Sequence, residues 1–208
     1  MLDAVELDCM RGDRVLFKGI NLKVAESELL YIKGANGAGK TTLLRMICGL
    51  VQPYSGTISW NGENIKSLRE DYYNDLLYVG HLGGIKPELT ALENLRFTCA
   101  LNGQNVSEEK ATEALKNVGL SGREDLPSKL LSQGQQRRVA LARLFLTTTK
   151  LWVLDEPFVA LDVKAVAMIQ GVLAEHLAGK GMIVLTTHQE FSVSKGVVKH
   201  LLLGDKLE

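Results

Sequence analysis

Continuous apolar runs mark three segments of this 208-residue chain, at residues 29–32, 151–154 and 183–185. A strand that is apolar at every position is typical of a parallel sheet whose two faces are both covered. Helical spacing follows the first run at residues 40–48 and stops at Gly49. Asp162 is expected to cap another helix, which ends at Gly179. This alternation of strands and helices predicts an α/β fold on a mostly parallel sheet.

Two other regions have a different pattern. Residues 4–24 and 57–60, the latter followed by Asn61-Gly62, predict short antiparallel strands and a tight turn. Thr90-x-x-Glu93 predicts a capped helix, and Ser107 opens another that ends at Gly119. We therefore predict one domain over residues 1–208, with an α/β core at 1–86 and 130–208 and a helical insert at 87–129.

The segment after the first apolar run fits the phosphate-binding pattern G-x-x-x-x-G-K-[ST] in its expected place between strand and helix. Its glycines let backbone N–H groups point at phosphates, and the helix adds its positive dipole end. Lys40 supplies a charge for the β- and γ-phosphates, and the Thr41 hydroxyl can coordinate Mg²⁺. The predicted site consists of Gly34, Ala35, Asn36, Gly37, Ala38, Gly39, Lys40, Thr41 and Thr42.

Two carboxylates, Asp155 and Glu156, directly follow the second apolar run. The carboxyl end of a buried strand is where open α/β sheets bind ligands. Alone, the pair would be a solvated strand end. Beside a phosphate loop, we predict that Asp155 holds Mg²⁺, directly or through water, and that Glu156 polarises an attacking water.

Two further features are ambiguous by themselves. Ser132 and Gly134 open a helical segment, which makes them either an ordinary N-cap or an anion site. His188 follows the third apolar run, where a histidine packed at the edge of the core is the alternative to a functional one.

Charge and cysteine content narrow the classes of partner. The 24 basic and 24 acidic residues balance, so we expect no nucleic-acid partner. Cys9, Cys48 and Cys99 have no metal-binding spacing, which favours unpaired thiols in a reducing compartment. We expect no secretory signal at the start and no span of a bilayer, so that any membrane role comes through a partner.

Taken in chain order, the phosphate loop, the L-S-x-G-Q segment at 131–135, Asp155-Glu156, Ala160-Leu161-Asp162 and His188 resemble the ATP-binding cassette ATPases. The resemblance covers essentially the whole chain. It implies a phosphate-loop NTPase fold, with a RecA-like parallel core, an antiparallel β part and an inserted helical subdomain. It also implies an enzyme that hydrolyses ATP to ADP and phosphate with the help of Mg²⁺.

The same resemblance assigns roles to single residues. It makes Lys40, Glu156 and His188 catalytic, with Glu156 as the base and His188 as the residue that orients water and γ-phosphate. It also implies a head-to-tail dimer of two copies. In that dimer the Ser132, Gly134 and Gln135 positions of one copy close over the ATP that the other copy holds.

Three positions depart from the pattern of the family. Gln133 stands where a first glycine is usual before Gly134. His81 replaces a glutamine in the loop that senses the γ-phosphate and the transmembrane partner, and we count His81 as a candidate for the metal site. Arg11 replaces an aromatic residue that stacks on adenine. A guanidinium also stacks on a flat base, so we predict a nucleotide contact at Arg11.

Within the family, residues 77–95 and 9–17 resemble the ATP-binding subunits of cytochrome c maturation systems, which are described as haem exporters. This implies integral membrane subunits as partners, a place at the cytoplasmic face of the inner membrane, and haem handled only by those partners. An exporter of lipids, peptides or drugs is the alternative. Transport of a substrate and release of a membrane-bound, haem-carrying protein both stay open.

Overall fold

The computed structural model describes residues 1–81 and 83–204, which form two compact units. The first unit comprises Met1–Tyr78, Thr149–Glu156 and the described residues from Leu173 onward. The second comprises Val79–Thr148 and Pro157–Val172. Leu82 and residues 205–208, which belong to the predicted core, lie outside the described residues. The limits of the predicted insert, 87 and 129, stay a prediction.

The described strands form two sheets. An antiparallel sheet has the order β2-β1-β4-β5, and a five-stranded sheet has the order β6-β7-β8-β3-β9. The strands are β1 (Leu2–Arg11), β2 (Arg14–Val24), β3 (Glu28–Gly34), β4 (Ser55–Trp60), β5 (Glu63–Asn64), β6 (Leu76–Val79), β7 (Leu151–Asp155), β8 (Met182–Thr186) and β9 (Val197–Leu203).

Seven α-helices accompany these strands within the described ranges. They are α1 (Lys40–Ile47), α2 (Ile65–Leu68), α3 (Glu70–Asn74), α4 (Ala91–Leu101), α5 (Glu108–Asn117), α6 (Gln133–Leu141) and α7 (Val163–Ala178). No helix in the described part of the chain is both long and apolar enough to cross a bilayer.

The parallel core confirms what the apolar runs predict. Strand β3 pairs in parallel with β8, and β8 with β7, in a register that aligns Leu154 with Leu185. Strands β7 and β8 are buried at every position, because both faces of this sheet are covered. The carboxyl ends of β3, β7 and β8 therefore meet at one edge of the sheet, and the phosphate loop, Glu156 and His188 follow directly from that edge.

The predicted antiparallel part is also confirmed. Strands β4 and β5 are joined by Asn61 and Gly62, whose φ angles of 52° and 88° are both positive, as a type I′ hairpin turn requires. Strands β1 and β2 form a longer hairpin through Gly12.

Capped helices build the second unit as the sequence predicts. Thr90 and Glu93 close a reciprocal capping box on α4, and the Ser107 hydroxyl accepts the amide of Lys110 to open α5. These helices and α6 bury a shared apolar cluster that includes Leu95, Leu115 and Val139.

The buried parts contain three thiols and one stacked histidine ring. Cys9, Cys48 and Cys99 are free, buried thiols, and burial raises the pKa of each. The His176 ring stacks on Trp152 with centroids 3.7 Å apart and planes inclined by 6°. Burial lowers the pKa of His176 to about 4, so the ring is neutral at physiological pH.

Candidate functional site

The phosphate loop in the first unit requires glycine for close packing as well as for backbone direction. Gly34 and Gly39 have φ angles of 149° and 96°. A Cβ on Gly34 would stand 2.5 Å from the Leu203 carbonyl oxygen, and one on Gly39 would stand 3.0 Å from the Phe17 ring. Side chains at these two positions would therefore distort the loop before any ligand arrives.

The Lys40 side chain folds back into this loop. Its ammonium donates to the carbonyl oxygens of Gly34 at 2.7 Å and Ala35 at 3.2 Å. Helix α1 begins at Lys40 with Gly39 as an N-cap that has no side chain. The loop thus presents a fixed cation beside the uncovered N-terminus of a helix, which is an arrangement that binds anions.

Asp155 ends β7, where it is 2% exposed. Its partner across the sheet is Thr186, whose buried hydroxyl donates to Asp155 Oδ1 at 2.7 Å. This role of Thr186 was not identified in the sequence analysis. Its position directly after the apolar run at 183–185 could have indicated it. Asp155 and the Thr41 hydroxyl are hard oxygen donors, the kind Mg²⁺ uses when phosphate and water oxygens complete its coordination. The donor set therefore fits the predicted ion.

Glu156 adopts an unusual backbone conformation for a residue with a side chain. Its φ of 52° lies in the left-handed region, which costs about 1–3 kcal/mol and is enriched at functional sites. Two hydrogen bonds hold it there, because its amide donates to both the carbonyl oxygen and the hydroxyl of Thr186 at 3.1 Å. The sequence gives no sign of this strain.

His188 links Glu156 to Lys40. Its backbone amide donates to Glu156 Oε2 at 3.2 Å, and its Nε2 lies 3.5 Å from Glu156 Oε1 and 3.4 Å from the Lys40 ammonium. The Glu156 side chain is 12% exposed and that of His188 is 56% exposed. The structure therefore brings the three predicted catalytic residues within reach of one another. Nε2 can donate to the carboxylate or accept from the ammonium, depending on the tautomer.

Arg11 lies apart from this cluster in sequence and in element. It is the last residue of β1, is exposed, and stands opposite Arg14 at the tip of the hairpin. A contact between Arg11 and a nucleotide base stays a prediction.

The second unit carries the Ser132 segment. The Ser132 hydroxyl accepts the Gln135 amide at 3.2 Å, and the Gln135 side chain accepts the Ser132 amide at 2.9 Å. This is a complete capping box on α6. The spacing S-x-x-Q could have predicted it, but sequence reasoning identified only the N-cap serine.

Packing against a neighbouring loop requires glycine at position 134, in addition to the predicted approach of a phosphate. Its φ is not in the left-handed region. A Cβ on Gly134 would collide with the carbonyl oxygen of Ala160, which itself has a φ of 61°. The approach of a phosphate to Gly134 stays a prediction, and the structure adds a packing reason beside it.

His81 also lies in the second unit and is exposed. The guanidinium of Arg137, which is 7% exposed, donates to the carbonyl oxygens of Gly80 at 2.6 Å and His81 at 3.3 Å. Sequence reasoning missed this anchor. His81 and Gln133, two of the departures noted above, both line one cavity of about 240 Å³. A metal contact at His81 stays a prediction.

Known proteins are similar to this chain over most of its length. The family described as ABC transporter matches residues 17–159. A protein from Nitrosomonas europaea named cytochrome c biogenesis ATP-binding export protein CcmA is 54% identical over 98% of this chain and 96% of its own length. A protein of the same name from Dechloromonas aromatica is 53% identical over 98% of this chain and all of its own length.

Solved structures extend the likeness to three dimensions. A structure titled as the dimeric form of a bacterial ABC transporter cassette has a TM-score of 0.83 at 26% identity, covering 97% of this chain and 94% of that one. A putative ABC transporter ATP-binding protein from Pyrococcus furiosus has a TM-score of 0.81 at 26% identity, covering 96% of each chain.

Proposed function

The chain belongs to the ABC transporter family of ATPases, and from that premise we propose that it is the ATP-hydrolysing subunit of a membrane complex for cytochrome c biogenesis. The names of the relatives from Nitrosomonas europaea and Dechloromonas aromatica, at more than half identity over nearly the whole chain, support this pathway. The observation that carries the chemistry is the chain of contacts from Lys40 through His188 to Glu156.

In the proposed reaction, Lys40 exchanges its carbonyl partners in the loop for the β- and γ-phosphate oxygens of ATP. Residues 34–42 then donate their backbone N–H groups to the phosphates. Glu156 accepts a proton from the attacking water, while His188 orients that water and the γ-phosphate. The hydrogen bond from the His188 amide orients the Glu156 carboxylate, and the two bonds that the Glu156 amide donates to Thr186 hold its backbone.

Thr41 and Asp155 would hold Mg²⁺, which supplies electrostatic stabilisation of the phosphate charge. The Thr186 hydroxyl donates to one carboxylate oxygen of Asp155 and so restricts rotation of that carboxylate. His81 is proposed as a further polar contact near the metal and the γ-phosphate.

We propose that the active form contains two copies arranged head to tail. In it, Ser132, Gly134 and Gln135 of one copy would contact the ATP held by residues 34–42 of the other, and Arg11 would contact the base. The solved relative described as dimeric supports the presence of two copies.

Integral membrane subunits are the proposed partners, which would place the chain at the cytoplasmic face of the inner membrane. By the same resemblance, haem would be handled by those partners and not by this chain. Either passage of a substrate or release of a haem-carrying protein could use the same ATPase. The second candidate is the ATPase of another small exporter, for lipids, peptides or drugs.

A complementation experiment tests the pathway. The chain is expressed in a bacterium whose own ATP-binding subunit for cytochrome c biogenesis has been deleted, and covalent haem in c-type cytochromes is measured by haem staining. We expect the wild-type chain to restore it and Lys40→Ala to fail. An ATPase-active chain that assembles with the host membrane subunits and restores nothing would favour the second candidate.

A further inference from the structure

A short loop of the second unit follows the catalytic carboxylate directly in the chain. After Glu156 come Pro157 and the fully buried Phe158, and then residues 159–162 lead into α7. Ala160 in this loop has a φ of 61°, a conformation that side chains rarely adopt. A loop held in such a conformation needs tethers that keep it there.

The first tether is the contact between Gly134 of α6 and Ala160. The loop carbonyl lies so close to Gly134 that no Cβ fits between them. Glycine inside a helix lowers stability by about 0.5–1 kcal/mol relative to alanine, so the close approach gives this glycine a structural reason.

The second tether lies one turn further along α6. The guanidinium of Arg138 forms an ion pair with Asp162 Oδ2, and Asp162 Oδ1 accepts the amide of Ala165 to cap α7. The Ala165 amide and then Arg138 hold the pKa of Asp162 below its usual range. Asp162 is thereby held between α6 and the start of α7.

Gly134 and Arg138 are four residues apart and so share one face of α6. We propose that they clamp residues 159–162 onto α6, and that Arg138 is a positioning residue for ATP hydrolysis. The proposal rests on the proposed function. Because Pro157 follows Glu156 directly, a fixed loop restrains the backbone next to the catalytic carboxylate.

The clamp predicts an effect on turnover rather than on nucleotide binding. Lys40 and the other phosphate contacts belong to residues 34–42, which the clamp does not include. A loosened clamp leaves these contacts in place and misplaces Glu156. Because a misplacement of about 1 Å can cost up to about 100-fold in rate, we expect a loss of about tenfold in kcat for a partial loosening.

The ion pair is tested with Arg138→Gln, Asp162→Asn and the double variant, in the full chain assembled with its membrane subunits and supplied with MgATP. Asparagine keeps the N-cap of α7 and removes the charge. We expect each single variant to lower kcat by about tenfold with KM within about twofold of wild type. The double variant should be no worse than either single one, because both remove the same pair. Arg138→Lys should restore part of the loss.

Arg96→Gln is the matched control, since Arg96 forms an exposed ion pair with Glu108 at 3.4 Å in the same unit. It should keep wild-type kcat. If Arg138→Gln and Asp162→Asn behave like Arg96→Gln, or if their losses simply add, the clamp is refuted. A wild-type chain without ATPase activity would instead refute the proposed function, so the two failures are distinguishable.

The glycine tether is tested with Gly134→Ala, alone and combined with Ala160→Gly. Glycine at 160 tolerates the left-handed region freely, which lets the loop shift away from the added methyl group. We expect Gly134→Ala to lower kcat and the second change to restore most of it, while Ala160→Gly alone stays near wild type. A loss of kcat that Ala160→Gly leaves unrelieved would assign Gly134 to phosphate contact alone and overturn this part of the clamp.

Discussion

The N-termini of α1 and α6 are both assigned to phosphate contact, but they are built in different ways. Helix α1 begins after Gly39, which has no side chain to cap it, and Lys40 folds into the loop beside it. Helix α6 begins after Ser132, whose hydroxyl accepts the Gln135 amide, while the Gln135 side chain accepts the amide of Ser132 itself. We call the first the open end, because no side chain caps it, and the second the closed end, because a capping box occupies one of its helical amides.

This difference suggests that the two ends bind phosphate with different strengths. At α1 the unused amides and the ammonium gain a partner when phosphate arrives. At α6 a phosphate must compete with the Ser132 hydroxyl, a cap that is worth about 0.5–2 kcal/mol. We infer that α1 provides stable binding of ATP, and that α6 provides a weaker contact that is easily made and released.

The largest effect is expected for Glu156→Gln, which traps ATP between the two ends. The substitution removes the general base and leaves every phosphate contact, so ATP binding should persist while kcat falls by about 10²–10⁴-fold. Light scattering should then detect an ATP-dependent dimer. Glu175→Gln, at an exposed ion pair with Lys195, is the control. Turnover at the wild-type rate would contradict the assigned role.

Lys40→Ala removes the cation at the open end. It removes the cation proposed to donate to the β- and γ-phosphates, and because each hydrogen bond to a charged group is worth about 1.5–3 kcal/mol, ATP affinity should fall by about 100-fold or more. Titration with a fluorescent ATP analogue measures this loss. Lys33→Ala, at an exposed lysine at the end of β3, should bind normally. Equal affinities for the two variants would disprove the role of Lys40.

Ser132→Ala removes the side-chain cap at the closed end. Its matched comparison is Thr90→Ala, which removes the corresponding cap from α4. Both remove the hydroxyl of a complete capping box, so each should lower the free energy of unfolding by about 1 kcal/mol. Only Ser132→Ala should also weaken ATP-dependent dimer formation in the Glu156→Gln background. If both variants weaken the dimer equally, Ser132 is a helix cap and nothing more.

No effect on the ATP contacts is expected at His176, whose protonation changes stability alone and sets the pH range for comparing the two ends. Its folded pKa of about 4 lies below the ordinary value of 6.5, so the unfolded chain binds the proton more readily. Stability should therefore fall as pH drops from about 6.5 to 4, by about 1–2 kcal/mol after allowance for its partial exposure. His176→Phe should flatten this slope in thermal unfolding. An unchanged slope would exclude His176 as its source.

The sequence predicted what depends on local pattern. The apolar runs, the Asn61-Gly62 turn and the Thr90 capping box each follow from neighbouring residues, and the structure confirms them. The Ser132-x-x-Gln135 box was predictable by the same rule and was only half recognised.

Contacts between distant parts of the chain had no such signal. The collision that makes Gly134 obligatory depends on Ala160, 26 positions later, and on that residue's left-handed backbone. The Arg137 anchor depends on carbonyl groups at Gly80 and His81, which any residue type would provide. Such contacts arise from tertiary packing between residues that are far apart in the chain, and no local spacing in a single sequence predicts them.

The three buried cysteines have a practical consequence for measuring the two helix ends. Thiolates react with maleimides, and burial with a raised pKa keeps Cys9, Cys48 and Cys99 as slow-reacting thiols. A single cysteine introduced at exposed Asn36 or exposed Gln133 would therefore take a spin label selectively in the otherwise native chain. In a mixture of copies labelled at position 36 and copies labelled at position 133, pulsed electron paramagnetic resonance would then measure how far the open end of one copy lies from the closed end of the other.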